Sequence, residues 1–354
     1  MVSAPTKYQA PVGVLIERLR QHYVFPDVGE QIAAHIKEKF DAGAYESVDD
    51  EAKLAEVLSK DLLAVNNDGH LGVRFQNEEF EEDSQPCVEE SLPIDEEDPI
   101  SEMWSGGGLI NYGVKRVEVL KGGVGLLELQ GFFPLAVAGP MITAAFTLLA
   151  NTSALIIDLR ANFGGDGECG DFVLSHLVPR AIHTNDVYWR PSNKTQQLRT
   201  FSYVSAPRYL AKRPVYVLTS ERTFSCAEKF SGTAQALGRA VVIGENTGGG
   251  GHPCHWFKMS KHLQASISIG CTTNRALGRG WEGVGVKPDV ECKPESVLDV
   301  AYRMALQGIE GQEALGHIGR MVAKDRNTEL EKLEESLKDL AVTDPRRTGD
   351  AKDL

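Results

Sequence analysis

The stretch Thr219-Ser-Glu-Arg-Thr-Phe-Ser225-Cys-Ala-Glu228 follows the apolar run Val215-Tyr-Val-Leu218 and leads into a helix-like segment, which sets Ser225 at a strand-to-helix turn. At such a turn the first backbone N–H groups of the helix lack intrahelical partners, so they are available to hold an oxyanion once the hydroxyl attacks a carbonyl. A serine that opens a helix is more often a simple N-cap, so the position alone decides nothing. Attack also needs a base to take the serine proton and a carboxylate to orient that base. His70, in the turn Asn67-Asp-Gly-His70 ahead of an alternating strand, and Glu282, inside the loop Gly278-Arg-Gly-Trp-Glu-Gly-Val-Gly-Val286, are the candidates. Taken singly, His70 reads as a structural or surface imidazole and Glu282 as a solvated loop acid.

A glycine-rich loop, Asp158-Leu-Arg-Ala-Asn-Phe-Gly-Gly-Asp-Gly-Glu-Cys-Gly170, separates a buried strand from the helix-like Asp171-Phe-Val-Leu-Ser-His-Leu177. Glycine lets backbone N–H groups come close to a substrate, so Gly164 or Gly165, together with the N–H of Cys226, are the expected oxyanion donors. The same loop contains Gly165-x-Gly167-x-x-Gly170, but its glycines begin well after the strand ends. No acidic residue closes a second strand about 20 residues later, as a dinucleotide site requires. It lacks the Gly-Lys-Ser/Thr of a P-loop as well. A further loop, Gly244-Glu-Asn-Thr-Gly-Gly-Gly-Gly-His-Pro253, offers Gly249, Gly250 and His252 as substrate contacts. His252, Cys254 and His255 crowd one loop without a helical i, i+4 pair, a poor pattern for a metal. The 6 cysteines include no C-x-x-C pair and fit free thiols in a reducing compartment. Neither a metal nor a cofactor is expected.

The elements that would position these residues follow from the apolar pattern. Val14, Leu15, Leu19, then Ile32, Ile36, Phe40, then Leu54, Val57, Leu58, Leu62 recur at helical spacing, which predicts a three-helix bundle over residues 1–70. Residues 71–113 read as a first strand followed by an acidic linker or lid, Glu78-Glu-Phe-Glu-Glu-Asp83 through Glu96-Glu-Asp98, too charged to pack. Over residues 114–309, short runs such as Gly125–Leu129, Ala154–Asp158, Val215–Leu218 and Ala240–Ile243 alternate with helices, the pattern of an α/β fold with buried, largely parallel strands. Residues 310–354 read as a helical tail with Leu330, Leu333, Leu337 and Leu340 at 3-4-3 spacing. That stripe either packs on the body or meets a second copy in a homo-oligomer. Loops around 78–113 and 180–210 are expected to shape specificity.

With 354 residues, 42% hydrophobic content and a net charge of −13, the chain reads as globular, and it lacks the clustered Lys and Arg that nucleic acid rewards. No apolar run reaches the roughly 18 residues of a membrane span. The start Met1-Val-Ser-Ala-Pro-Thr-Lys-Tyr lacks the charged head and apolar stretch of a signal peptide, so a cytoplasmic location is expected.

Asn67-Asp-Gly-His70, Asp158-Leu-Arg-Ala-Asn-Phe-Gly-Gly165, Thr219-Ser-x-x-Thr-Phe-Ser-Cys-Ala-Glu228, Gly244-Glu-Asn-Thr-Gly-Gly-Gly250 and Gly283-Val-Gly-Val-x-Pro-Asp289 together resemble peptidase family S41. That family holds the tail-specific proteases, the tricorn core and the modules of interphotoreceptor retinoid-binding protein. The resemblance implies a crotonase-like or ClpP-like β/α spiral core with a helical N-terminal subdomain, and it places the nucleophile at Ser225. Tail-specific proteases carry a lysine in the Gly-Glu-x-Thr-x-Gly-Lys loop, where this chain has Gly249 and Gly250, so their Ser-Lys dyad is absent. The tricorn branch uses a histidine after the N-terminal bundle and a late-loop glutamate, which map onto His70 and Glu282. Where that branch has a serine before the histidine, this chain has Gly69. The interval from His70 to Gly125 leaves no room for a PDZ domain, so the chain looks most like a single module of the retinoid-binding branch. The resemblance therefore implies a serine hydrolase, first a peptidase, working through an acyl-enzyme with a Ser-His-Glu triad on a peptide or a small apolar substrate. The alternatives are a cyclase or acyl transferase acting on a small metabolite, or a retinoid- or fatty-acid-binding module.

Overall fold

The computed structural model describes residues 7–80, 104, 106–210 and 213–338. In chain order the helices and strands are α1 (Gln9–His22), α2 (Pro26–Asp41), α3 (Glu51–Asn66), β1 (Gly72–Phe75), β2 (Val114–Leu120), β3 (Val124–Leu129), α4 (Leu135–Leu149) and β4 (Ala154–Asp158). Next come α5 (Gly167–Ser175), β5 (His183–Trp189), β6 (Lys194–Arg199), β7 (Val215–Thr219), α6 (Cys226–Ala236) and β8 (Val241–Gly244). The chain continues with β9 (Cys254–Lys258), β10 (Leu263–Ser268), β11 (Gly270–Asn274), β12 (Val290–Glu291), α7 (Val297–Gln307) and α8 (Gly316–Ser336). It divides into two compact units. One collects Met1–Pro93, Asp186–Gln197 and Gly250–Thr273; the other collects Ile94–Asn185, Leu198–Gly249 and Asn274–Leu354.

The first unit holds the three predicted helices. Pro26 starts α2 with the φ its ring already fixes, and Asp50 caps α3 by accepting from Lys53 N–H at 2.7 Å. Asn67 ends α3 in the left-handed conformation at φ 54°, the turn that leads to His70. The apolar faces of these helices pack with β1 and with the antiparallel pair β9 and β10. Leu15, Leu19, Ile32, Ile36, Leu58 and Leu62 share one cluster with Phe257, Leu263, Ala265 and Ile267.

The second unit is built on a six-stranded sheet in the order β12-β8-β7-β4-β3-β2, parallel throughout except for the antiparallel β2–β3 pair. The runs 154–157 and 215–218 at its centre are apolar at every position because both faces are covered. Leu155, Ile157, Val215 and Val217 enter a cluster closed by α4, α5 and α6, whereas Ala154, Ile156, Tyr216 and Leu218 enter a second closed by α7. Each fully buried Leu, Ile or Val of this kind contributes roughly 1.5–3 kcal/mol. The sheet thus presents the ends of β4, β7 and β8, with the glycine-rich loops of β4 and β8 and the Ser225 turn of β7, along one edge, the usual place for chemistry in an α/β fold.

Two regions differ from the sequence expectation or extend it. Residues 180–210 are not simply a loop: β5 and β6 pair within a three-stranded sheet of order β11-β5-β6. The sequence Lys194-Thr-Gln-Gln-Leu-Arg199 is almost wholly exposed and polar, so it has no apolar alternation to reveal a strand. At the other end, Leu330 and Leu333 pack against the α7-side cluster and Leu337 is part of it, which is the packed reading of the leucine stripe. The acidic stretch over 81–103 and Leu340 lie outside the described residues.

Candidate active site

Ser225 joins β7 to α6 with φ 53° and ψ −117°. A residue with a Cβ rarely takes positive φ, and holding it there costs about 1–3 kcal/mol that the surroundings must offset. The conformation makes a sharp strand-to-helix turn, which sets the serine at the edge of the sheet.

Glu228, one turn into α6 and 0% exposed, supplies much of that offset. Its carboxylate accepts from Ser225 N–H at 2.8 Å, from Thr247 Oγ1 at 2.6 Å and from Gly249 N–H at 2.7 Å. Charge-assisted bonds of this kind are roughly twice as strong as neutral ones. Thr247 carries the connection onward: its hydroxyl oxygen accepts from Val286 N–H at 2.6 Å, while Gly283 N–H donates to Gly249 O at 2.8 Å. The loop bearing the half-buried Glu282 is therefore fastened to the 244–249 loop, and that loop to the Ser225 turn. Sequence reasoning quoted Glu228 only as part of a motif and missed this role.

Asn162, likewise fully buried, organises the other side of the turn. Its amide donates to Leu129 O at 3.1 Å, its side-chain oxygen accepts from Gly164 N–H at 2.9 Å, and its carbonyl accepts from Phe224 N–H at 3.1 Å. Gly164 and Gly165 follow at φ 98° and 115°, where L side chains are strained. A Cβ on Gly164 would stand 2.7 Å from Ser225 Cβ and 2.8 Å from Phe224 O, so glycine is what lets the loop lie against the serine. Because Asn162 takes the N–H of Gly164, the groups that donate no hydrogen bond among the described residues are the N–H groups of Gly165 and Cys226. Gly164 thus has a steric part, and the N–H groups of Gly165 and Cys226 remain available to a hydrogen-bond acceptor. The Cys226 thiol donates to Asp166 O at 3.2 Å, and burial pushes it up to about 12, so it is no rival nucleophile at neutral pH.

His70, His252 and Gly250 belong to the first unit, where Asp68 is the organiser. This carboxylate, 1% exposed, accepts from Tyr23 Oη and from His252 Nδ1 on one oxygen, each at 3.0 Å, and from His70 N–H on the other, also at 3.0 Å. Burial pushes Asp68 upward, but its bonds from His252, His70 N–H and Ser268 outweigh that and hold it below the usual carboxylate range. Burial drives the His70 ring down to about 4; Asp68 opposes this and His252 adds to it. His70 is therefore neutral at pH 7. His252 is buried, with its ring 5.6 Å from that of Phe25 in an edge-on arrangement. His255 packs its ring edge-on against Phe257 at 4.8 Å.

Two family models match the chain: peptidase family S41 over residues 123–292, and the N-terminal domain of S41 peptidases in eukaryotic IRBP over residues 6–103. The chain belongs to peptidase family S41. Its mixed α/β architecture is similar to that of several solved structures. A candidate peptidase of Parabacteroides merdae has a TM-score of 0.56 at 17% identity, covering 85% of this chain and 98% of that one. A lipoprotein of Streptococcus agalactiae has a TM-score of 0.53 at 12% identity, covering 87% and 99%. The tricorn protease has a TM-score of 0.52 at 15% identity, covering 92% of this chain and 37% of its own. An uncharacterised protein of Chlamydia muridarum (strain MoPn / Nigg) is 32% identical over 99 residues, or 27% of this chain. The chain matches only 16% of the length of that curated relative. No helix among the described residues is long and apolar enough to cross a membrane.

Proposed function

We propose that this chain is a serine peptidase that works through an acyl-enzyme. The observation that carries the reading is the Ser225 turn at φ 53° and ψ −117°, flanked by the two N–H groups of Gly165 and Cys226 that donate no hydrogen bond among the described residues. In this reading Ser225 Oγ attacks the scissile carbonyl of a peptide, and His70, neutral at pH 7, takes the hydroxyl proton. Glu282 orients the imidazole. The two N–H groups receive the charge that develops on the carbonyl oxygen, an effect worth on the order of 3 kcal/mol per donor. His70 then returns the proton to the departing amine, and water repeats the sequence to release the acid. The 249–252 loop, with Gly249, Gly250 and His252, contributes to the substrate surface.

The test is treatment of the full chain with a small fluorophosphonate, followed by intact mass and peptide mapping, comparing the parent with S225A and H70A. One adduct, on Ser225, lost in S225A and slowed at least a hundredfold in H70A, is the expected result. A folded wild-type protein that takes no adduct, or takes it elsewhere, overturns the reading.

A further inference from the structure

The N–H groups of Gly165 and Cys226 stand on either side of one seam, the first in the loop that opens α5 and the second at the first position of α6. Side chains of α6 close that seam. Cys226 Sγ donates to Asp166 O at 3.2 Å, and a Cβ on Gly170 would stand 2.6 Å from the same sulfur. Lys229 Nζ donates to Gly167 O at 2.7 Å and to Asp171 Oδ2 at 2.8 Å, while Thr184 Oγ1 donates to Asp171 Oδ1 at 3.3 Å. Cys226 and Lys229 are three residues apart, so they share the face of α6 that α5 covers. Lys229 is 6% exposed and Asp171 4%. Burial pulls Lys229 down, but Asp171 outweighs it and the net direction is upward, so the side chain is an ammonium at neutral pH. Burying two charges is costly, and an apolar pair of similar size is often as stable, so the ion pair has little to offer as a bulk stabiliser. What it offers is direction: donors at one fixed point tie the loop carbonyl and the α5 carboxylate to α6, which an apolar side chain cannot do.

We propose that Lys229 is a positioning residue for the chemistry assigned above: by holding Gly167 O and Asp171 it sets the separation of the Gly165 and Cys226 N–H groups, and with it the grip on the oxyanion, without touching the substrate. The inference rests on that assignment of Ser225 and its two donors. Gly165 lies two residues before Gly167, and Cys226 three before Lys229, so slackening the bonds of the lysine frees the loop and the helix start to shift at the donors themselves. A misplacement of about 1 Å in a group that acts on the reacting atoms can cost on the order of a hundredfold in rate. Lysine and aspartate neutralise each other at close range, so the effect is one of geometry rather than of net charge.

The test is the concentration dependence of fluorophosphonate attachment to Ser225 in the full chain, with urea unfolding of the same proteins. In the double variant Lys229→Met with Asp171→Leu, an apolar pair of similar size replaces the ions. This variant is expected to unfold at a urea concentration close to that of the wild type and to keep its half-saturating reagent concentration within threefold, while its maximal attachment rate falls at least thirtyfold. Lys229→Arg, which keeps the charge and the donors, is expected to retain at least a third of the wild-type rate. A wild-type maximal rate in the folded double variant overturns the inference while the Ser225 reading stands, and so does a rate in Lys229→Arg as low as in the double variant. A loss confined to the fraction of chains labelled, with the rate unchanged, marks a merely structural role and overturns it too. Should the double variant not fold, Asp171→Asn decides: its amide oxygen is a neutral and weaker acceptor for the lysine, so the maximal rate is expected to fall at least threefold, and an unchanged rate refutes the inference. A folded wild type that takes no adduct on Ser225 removes both readings together.

Discussion

Glu228→Gln keeps the shape of a side chain while removing its charge, and its surroundings fix the consequence. The natural carboxylate accepts Thr247 Oγ1 and Gly249 N–H on Oε1, and Ser225 N–H on Oε2. A glutamine has one acceptor oxygen. Placing that oxygen at the Oε1 position keeps two bonds, whereas the opposite orientation keeps one, so the amide nitrogen comes to face Ser225 N–H, donor against donor. Losing a charge-assisted bond costs about 1.5–3 kcal/mol, and leaving the N–H unsatisfied costs about 1–3 more. Against this, the variant no longer buries an ion, a saving of several kcal/mol. The losses exceed the saving by up to about 2–3 kcal/mol, concentrated at the one residue that needs help to hold positive φ. If that loss falls on the active turn, the population of the active turn drops on the order of 30-fold, since each 1.4 kcal/mol is about a factor of ten. Urea unfolding reads the stability, and the fluorophosphonate rate on Ser225 at pH 7 reads the turn. A variant that loses the stability but labels at the wild-type rate would refute the idea that Glu228 supports the serine, and one that loses neither would refute the hydrogen-bond reckoning itself.

Gly164→Ala would push a methyl group within 2.7 Å of Ser225 Cβ at a φ of 98°, so serine labelling is expected to fall at least a hundredfold with roughly 2–4 kcal/mol of stability lost; labelling within threefold of the wild type would contradict the packing. Acid should destabilise the chain through its neutral histidines. Burial holds His176 down to about 4, opposed by its bond to Phe172 O, and His70 down to about 4, so between about pH 6.5 and 4 the unfolded chain binds protons that the folded one refuses. Stability therefore declines as pH falls through that window, by at most on the order of 3 kcal/mol for His176 and less for the half-buried His70. His176→Gln should flatten the decline in urea midpoints between pH 7 and 4.5, and an unchanged slope would count against this cause. Leu337→Ala, at a site 3% exposed on the α7-side cluster, is expected to cost about 2–4 kcal/mol in urea unfolding, whereas a loss below about 0.5 kcal/mol would mean that the end of α8 is not packed.

The sequence made the Ser225 turn legible because a buried strand and a helix start are both local patterns, and it made the four central strands legible because a sheet covered on both faces leaves uninterrupted apolar runs. The positive φ of Ser225 was not legible, since nothing about a serine forecasts it. Glu228 and Asp68 hid for a different reason. Each lies within a recognised motif, but its partners, Thr247 and Gly249 for one and His252 for the other, come from loops far along the chain, and local spacing carries no information about such meetings. The same holds for β9 and β10. Apart from Cys254 and His255, a poor metal pattern, the sequence says little of their residues, because the helices that complete their apolar face precede them by about 190 residues.

That interleaving has a consequence for how the protein is made. The cluster formed by Leu15, Leu19, Ile32, Ile36 and Leu58 is closed by Phe257, Leu263 and Ile267, so a ribosome that has finished the three helices must still synthesise about 190 residues before their apolar faces can be covered. At about 5–20 residues per second this is a wait of roughly ten to forty seconds. During that interval the nascent helices expose the kind of surface that holdase chaperones bind, and a message truncated before residue 254 would release a fragment with no means of covering it.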